Sequence, residues 1–195
     1  MSFLIAVHVN EGIVLASDRR TTYTNTKEIG GKVVQRIGIH TTNSTDKTFV
    51  CPNGAGISTC GDASLLGKPI TGYIQEVIRT KIQADTTIER IPQILIDYFN
   101  ALDYVPDTIF IIAGYETMKE GKKQQAIFKV NVKSKQVERI DTINQGATWE
   151  GETFTLTRLI QPVAIKGENT YRDLPFEEIL RQHFRARKPS WEDYQ

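Results

Sequence analysis

Cysteine and histidine are scarce in this chain. Its 195 residues hold two cysteines, Cys51 and Cys60, with no CxxC pair, and three histidines, His8, His40 and His183, scattered along the sequence. That supply argues against a zinc site and against a disulfide framework, and it points to a reducing compartment. A bridge between Cys51 and Cys60 stays open. Charge of one sign is also lacking: the formal net charge is +1, which gives no global attraction to nucleic acid or to a membrane surface. No apolar run approaches a membrane span, and the N-terminal run is too short for a signal core and has no basic lead-in. The expected location is therefore the cytoplasm. Repeats, low-complexity segments and linkers are absent too. A single domain over residues 1–195 is expected, with a charged, frayed tail at 185–195. With 39% hydrophobic and 24% charged residues, the chain is long and apolar enough to bury a real core.

What the sequence does have is a strong hairpin at its start. Phe3–Val9 is an extended apolar run, Asn10-Glu11-Gly12 a turn, and Ile13–Ser17 a return strand. Residues 24–46 read as an exposed ribbon or arm. Short strands follow at Lys47–Pro52 and Ala55–Cys60. Two amphipathic helices come next. The first carries Leu66, Ile70, Tyr73, Ile74, Val77, Ile78 and Ile82 at three- and four-residue steps. The second carries Ile88, Ile91, Leu95, Phe99 and Leu102. Thr86-x-x-Glu89 resembles a capping box, and Pro92 is expected to kink or shorten the second helix. Thr108–Tyr115 reads as a buried central strand. Gln125–Val132 and Gln136–Ile140 form another hairpin, and Asn144–Gly151 a polar loop. Helices are expected over 152–160 and 175–184. Strands, two helices, strands and then helices make an α+β order. The arrangement that covers every apolar face is a sandwich of two antiparallel sheets flanked by helices.

Four residues gather at the open end of the first hairpin. Ser2 follows the initiator Met, and loss of Met1 leaves a hydroxyl and a free α-amine on one residue, a nucleophile with a built-in base. Antiparallel pairing brings Asp18 near Ser2. Lys47 opens the next core strand, and Gly61 ends the strand after it. A partly buried Lys47 lowers the pKa of the Ser2 hydroxyl and amine, Asp18 holds Lys47 charged and oriented, and the Gly61 N–H faces a developing oxyanion. The plain readings are a serine behind a retained Met, a surface carboxylate paired with Arg20, a solvated lysine and a turn glycine. Arg20 is expected to brace Asp18 rather than touch substrate.

Gly12-Ile-Val-Leu-Ala-Ser-Asp18-Arg-Arg-Thr21, then Lys47-Thr-Phe and Gly56-Ile-Ser-Thr-Cys-Gly61-Asp-Ala63, resemble the motifs of the proteasome-like N-terminal nucleophile hydrolases: the 20S proteasome β subunits and their bacterial ring-forming relatives. The resemblance covers roughly residues 2–160. It implies a four-layer αββα sandwich and a threonine-type peptidase or amidohydrolase that cuts peptide bonds in peptide or protein substrates inside a homo-oligomeric ring. It implies Ser2, Asp18, Lys47 and Gly61 as catalytic residues, with no metal or cofactor. The sequence departs from the family in four places. Ser2 stands where Thr is usual. The insertion before Lys47 makes Lys32 a rival for the lysine role. The supporting Gly-Ser-Gly turn reads Gln145-Gly146-Ala147-Thr148, leaving Thr148 as its one hydroxyl. The C-terminal closing elements have no counterpart. A non-catalytic ring or scaffold subunit, or a small-molecule amidase on the same fold, are the alternatives.

Overall fold

The structure is a computed structural model and describes residues 2–29, 32–118 and 121–153. The chain divides into two compact units, Met1–Glu152 and Thr153–Gln195. The helix expected over 175–184, the tail 185–195 and nearly all of the helix expected over 152–160 lie outside the described residues.

Strands β1 (Phe3–Val9) and β2 (Gly12–Ser17) form the first hairpin. Strands β3 (Thr21–Ile29) and β4 (Lys32–Thr42) form a two-stranded ribbon. Next come β5 (Thr48–Val50), β6 (Gly56–Gly61), the short pair β7 (Ser64–Leu65) and β8 (Lys68–Pro69), and helix α1 (Ile70–Lys81). A 3-10 turn over Ile88–Arg90 leads into α2 (Ile91–Asn100). Four strands close the described chain: β9 (Thr108–Thr117), β10 (Lys123–Asn131), β11 (Gln136–Ile140) and β12 (Gly146–Gly151). One sheet has the order β12-β1-β2 and a second the order β11-β10-β9-β6-β5. Every pairing is antiparallel.

The two sheets face each other through alternate side chains, as the two-residue strand period requires. Leu4 and Ala6 of β1 meet Cys60, Ile111, Ala113 and Ile127 of the larger sheet, with Ile13 and Leu15 of β2 packed beside them. On its other face the larger sheet presents Ile57, Phe110, Ile112 and Phe128 to Ile74 and Val77 of α1 and to Leu95 and Phe99 of α2. Ile74, Val77, Leu95 and Phe99 are fully buried. Each such side chain contributes about 1.5–3 kcal/mol, so this layer is the main core.

The expected four-layer αββα sandwich is not what forms. The described chain is mostly antiparallel sheet with two α-helices, and both helices spend their apolar stripes on one face of the larger sheet. Among the described residues no helix covers the outward face of β12-β1-β2, where Val14 is 65% exposed. Three local expectations also narrow or change. Pro92 lies in the first turn of α2, where a missing N–H breaks no helical hydrogen bond; of the two expected effects the α-helix is shortened, beginning at Ile91 after the 3-10 turn, and not kinked. Thr86 caps nothing: its hydroxyl accepts the Gln83 N–H at 2.8 Å. The expected loop at Asn144–Gly151 becomes β12 from Gly146 onward, pairing with β1. Cys51 and Cys60 are free thiols in the cores on opposite faces of the larger sheet, so no bridge joins them. No helix among the described residues is long and apolar enough to cross a membrane.

Candidate active site at the open end of the first hairpin

The β1–β2 register sets Leu4 opposite Ser17, which carries the chain ends past the sheet together. The Phe3 N–H donates to Asp18 Oδ1 at 2.8 Å, and the Asp18 N–H donates to the Phe3 carbonyl at 3.1 Å. The residue after Ser2 is thus clamped to Asp18 by a reciprocal pair. Asp18 Oδ2 accepts the Arg20 N–H at 2.9 Å.

Lys47 completes the cluster. Its ammonium donates to Asp18 Oδ1 at 2.9 Å and Oδ2 at 3.0 Å, and also to the Arg20 carbonyl. The Lys47 side chain is 5% exposed and that of Asp18 32%. Burial by itself disfavours the Asp18 carboxylate. The Phe3 N–H, the Lys47 ammonium and the Arg20 N–H outweigh it and hold the carboxyl below its ordinary range. Three acceptors match the three ammonium protons, and no hydrogen bond joins Lys47 to Ser2. Lys47 can therefore act on Ser2 through its field, as a fixed positive charge.

The larger sheet holds Lys47 in place. Its carbonyl accepts the Thr59 N–H at 2.9 Å, tying the start of β5 to β6. Next to it, hydroxyls bridge the two sheets: Ser17 to Thr48 at 2.7 Å and Thr48 to Ser58 at 2.6 Å. Gly61 follows at the end of β6 with φ +114°, and a Cβ there would lie 2.1 Å from the Asp107 carbonyl oxygen. Both the dihedral and the close approach demand glycine. Ser2, Lys47 and Gly61 line one cavity of about 20 Å³, room for a single water. The sequence-predicted Ser2, Asp18, Lys47 and Gly61 are brought together at this end of the hairpin. Asp18 reaches the cavity through its ion pair with Lys47.

The two supporting residues are placed otherwise. Arg20 does brace Asp18, but through its backbone N–H, while its guanidinium Nε donates to Asn43 Oδ1 at 3.1 Å. Thr148 is buried on β12 opposite Ala6, four residues along β1 from Ser2. The rival Lys32 opens β4 in the ribbon, which pairs with neither sheet.

Three residues at the site were not foreseen. The Glu152 N–H donates to the Ser2 carbonyl at 2.7 Å. Gly151, with φ +91°, passes so close that a Cβ would lie 1.9 Å from the Ser2 carbonyl oxygen. Thr59 also lines the cavity, and its hydroxyl oxygen is buried without a partner. The one available signal for Thr59 was its place two residues before Gly61, on the same face of the strand. Cys60 is adjacent, but burial pushes its thiol up to about 12, which excludes a thiolate nucleophile at neutral pH. No three His, Cys, Asp or Glu side chains among the described residues are grouped to hold a metal ion. The chain matches no protein-family model and no curated protein sequence.

Proposed function

We propose that this chain is an N-terminal nucleophile amide hydrolase of the proteasome-like type, with Ser2 as nucleophile once Met1 is removed. The observation that carries this reading is the clamp at Ser2: Asp18 binds the Phe3 N–H with one carboxylate oxygen and the buried Lys47 ammonium with both. A fixed cation, its counter-ion and a required glycine surround the first residue of the mature chain. An N-terminal amine base needs those neighbours to activate a hydroxyl.

The Ser2 hydroxyl oxygen attacks the carbonyl carbon of a substrate amide, and its proton passes to the α-amine, directly or through the water the cavity admits. The Lys47 charge favours the alkoxide as it forms, and the Gly61 N–H stabilises the oxyanion. Collapse breaks the C–N bond, and the α-ammonium returns its proton to the departing amine. A water molecule then attacks the ester carbon, giving up its proton to the α-amine. The acid product leaves, and the Ser2 hydroxyl regains a proton. Peptide or protein substrates, assembly into a homo-oligomeric ring and a cytoplasmic location belong to the same proposal. They rest on the resemblance of the hairpin and Lys47–Gly61 motifs.

A second reading, a non-catalytic ring or scaffold subunit, is favoured by the cavity's size, since about 20 Å³ admits no substrate side chain. Intact-mass analysis of untagged protein, with and without a β-lactone that acylates N-terminal hydroxyl nucleophiles, separates the two. Enzyme chemistry requires loss of Met1 and one lactone adduct, both adduct and amidase activity disappearing in Ser2→Ala and Lys47→Ala. A retained Met1 with no adduct establishes the scaffold reading.

A further inference from the structure

The opposite end of the first hairpin holds a larger cavity, about 680 Å³, within the range of small-molecule sites. It lies where β1 runs into its turn, about 20 Å from Ser2 at 3.3 Å per residue. Cross-links between elements build its walls. The Gln125 amide donates to the Val9 carbonyl at 2.6 Å, and the Thr142 hydroxyl donates to the Gln125 carbonyl at 2.9 Å.

His8 is the unusual group in this cavity. It is 3% exposed, yet its ring makes no hydrogen bond among the described residues and lines the opening. Gly146 makes room for it: a Cβ there would lie 3.0 Å from Nε2. Lys122, Lys123, Asn10, Gln124, Asn144 and Gln145 line the same cavity as the imidazole. Lys123 pairs with no carboxylate among the described residues, and the described lining contains no Asp, Glu or Arg. Val9 and Met118 add apolar surface.

We infer that this cavity binds a small phosphorylated molecule. The Lys123 cation, a buried imidazole and several carboxamide donors, with no carboxylate among the described lining residues, form a site for an oxygen-rich anion. Lysine serves phosphate as a point charge, and the citrate arm of the test separates phosphate from carboxylate. The volume exceeds that of phosphate alone, and the apolar patch can take an organic body.

The test titrates inorganic pyrophosphate into the full chain at constant ionic strength, following the His8 imidazole resonances by NMR. The expected result is a saturable shift of those signals. Lys123→Ala should weaken binding by at least roughly tenfold, the loss of one charge-assisted contact. Asn144→Ala should also weaken it, whereas Lys81→Ala, removing an equal charge at the end of α1, should not. Three results would overturn the inference: no saturable His8 shift, citrate binding as tightly as pyrophosphate, or Lys81→Ala weakening binding as much as Lys123→Ala.

Discussion

The Lys47 ammonium sits 2.9 Å and 3.0 Å from the two carboxylate oxygens of Asp18, a residue 29 positions earlier in the chain. The pair joins the end of β2 to the start of β5, so it ties the small sheet to the large one where Ser2 enters. It is an ion pair with one buried member and one part-exposed member. Its contribution to stability and its contribution to chemistry are separable by substitution.

Asp18→Asn keeps the side chain's shape and removes its charge, leaving the Lys47 ammonium buried without a counter-ion. Breaking a buried pair in this way costs several kcal/mol. Because Asp18 is partly in solvent, about 2 kcal/mol is expected, read from urea unfolding at pH 7. Acid should reproduce the effect in the unaltered protein. The folded-state carboxyl lies below its ordinary value of 3.8, so its stabilisation is complete above that value. It is lost as pH falls through the lowered folded value. The stability of Asp18→Asn should fall less steeply over that acid range. Equal slopes for the two proteins would show that the ion pair does not contribute.

Much of this site was legible because antiparallel pairing is local. The turn at Asn10-Glu11 fixes which residues face one another, and so places Asp18 beside Phe3. Lys47 and Gly61 were legible through the spacing of a familiar motif. Gly151 and Glu152 were not. They reach Ser2 because β12 pairs with β1 across nearly the whole described chain, and nothing near residue 151 encodes that partner. The small and polar residues Gly146, Ala147, Thr148 and Gly151 read as a loop for the same reason: an edge strand needs no continuous apolar face. Strand periods and helix stripes were visible one element at a time. Which sheet face a stripe covers is a long-range outcome, and there the layered expectation failed.

The two thiols give a prediction that requires no activity assay. Burial pushes both Cys51 and Cys60 up to about 12 from an ordinary 9.0. At pH 8 the thiolate fraction drops from about one tenth to about one ten-thousandth. Iodoacetamide should therefore leave both cysteines unmodified in the folded protein over an hour and alkylate both in guanidinium, as counted by intact mass. Rapid labelling of Cys60 in the folded state would mean that the cavity beside Ser2 opens far more often than the packing allows.

Gly151→Ala tests whether the strand partner of β1 positions Ser2. Alanine at φ +91° is strained, and its Cβ would overlap the Ser2 carbonyl oxygen, so Ser2 must move or the end of β12 must detach. Either change breaks the Glu152 N–H bond to Ser2 at 2.7 Å. The Lys47–Asp18 pair lies on the other flank of β1 and does not depend on that bond. The variant should lose about 1–3 kcal/mol and lose β-lactone labelling of Ser2. The Asp18-dependent acid slope should persist. Labelling at the normal rate in a folded Gly151→Ala protein would show that Asp18 alone holds Ser2 in place.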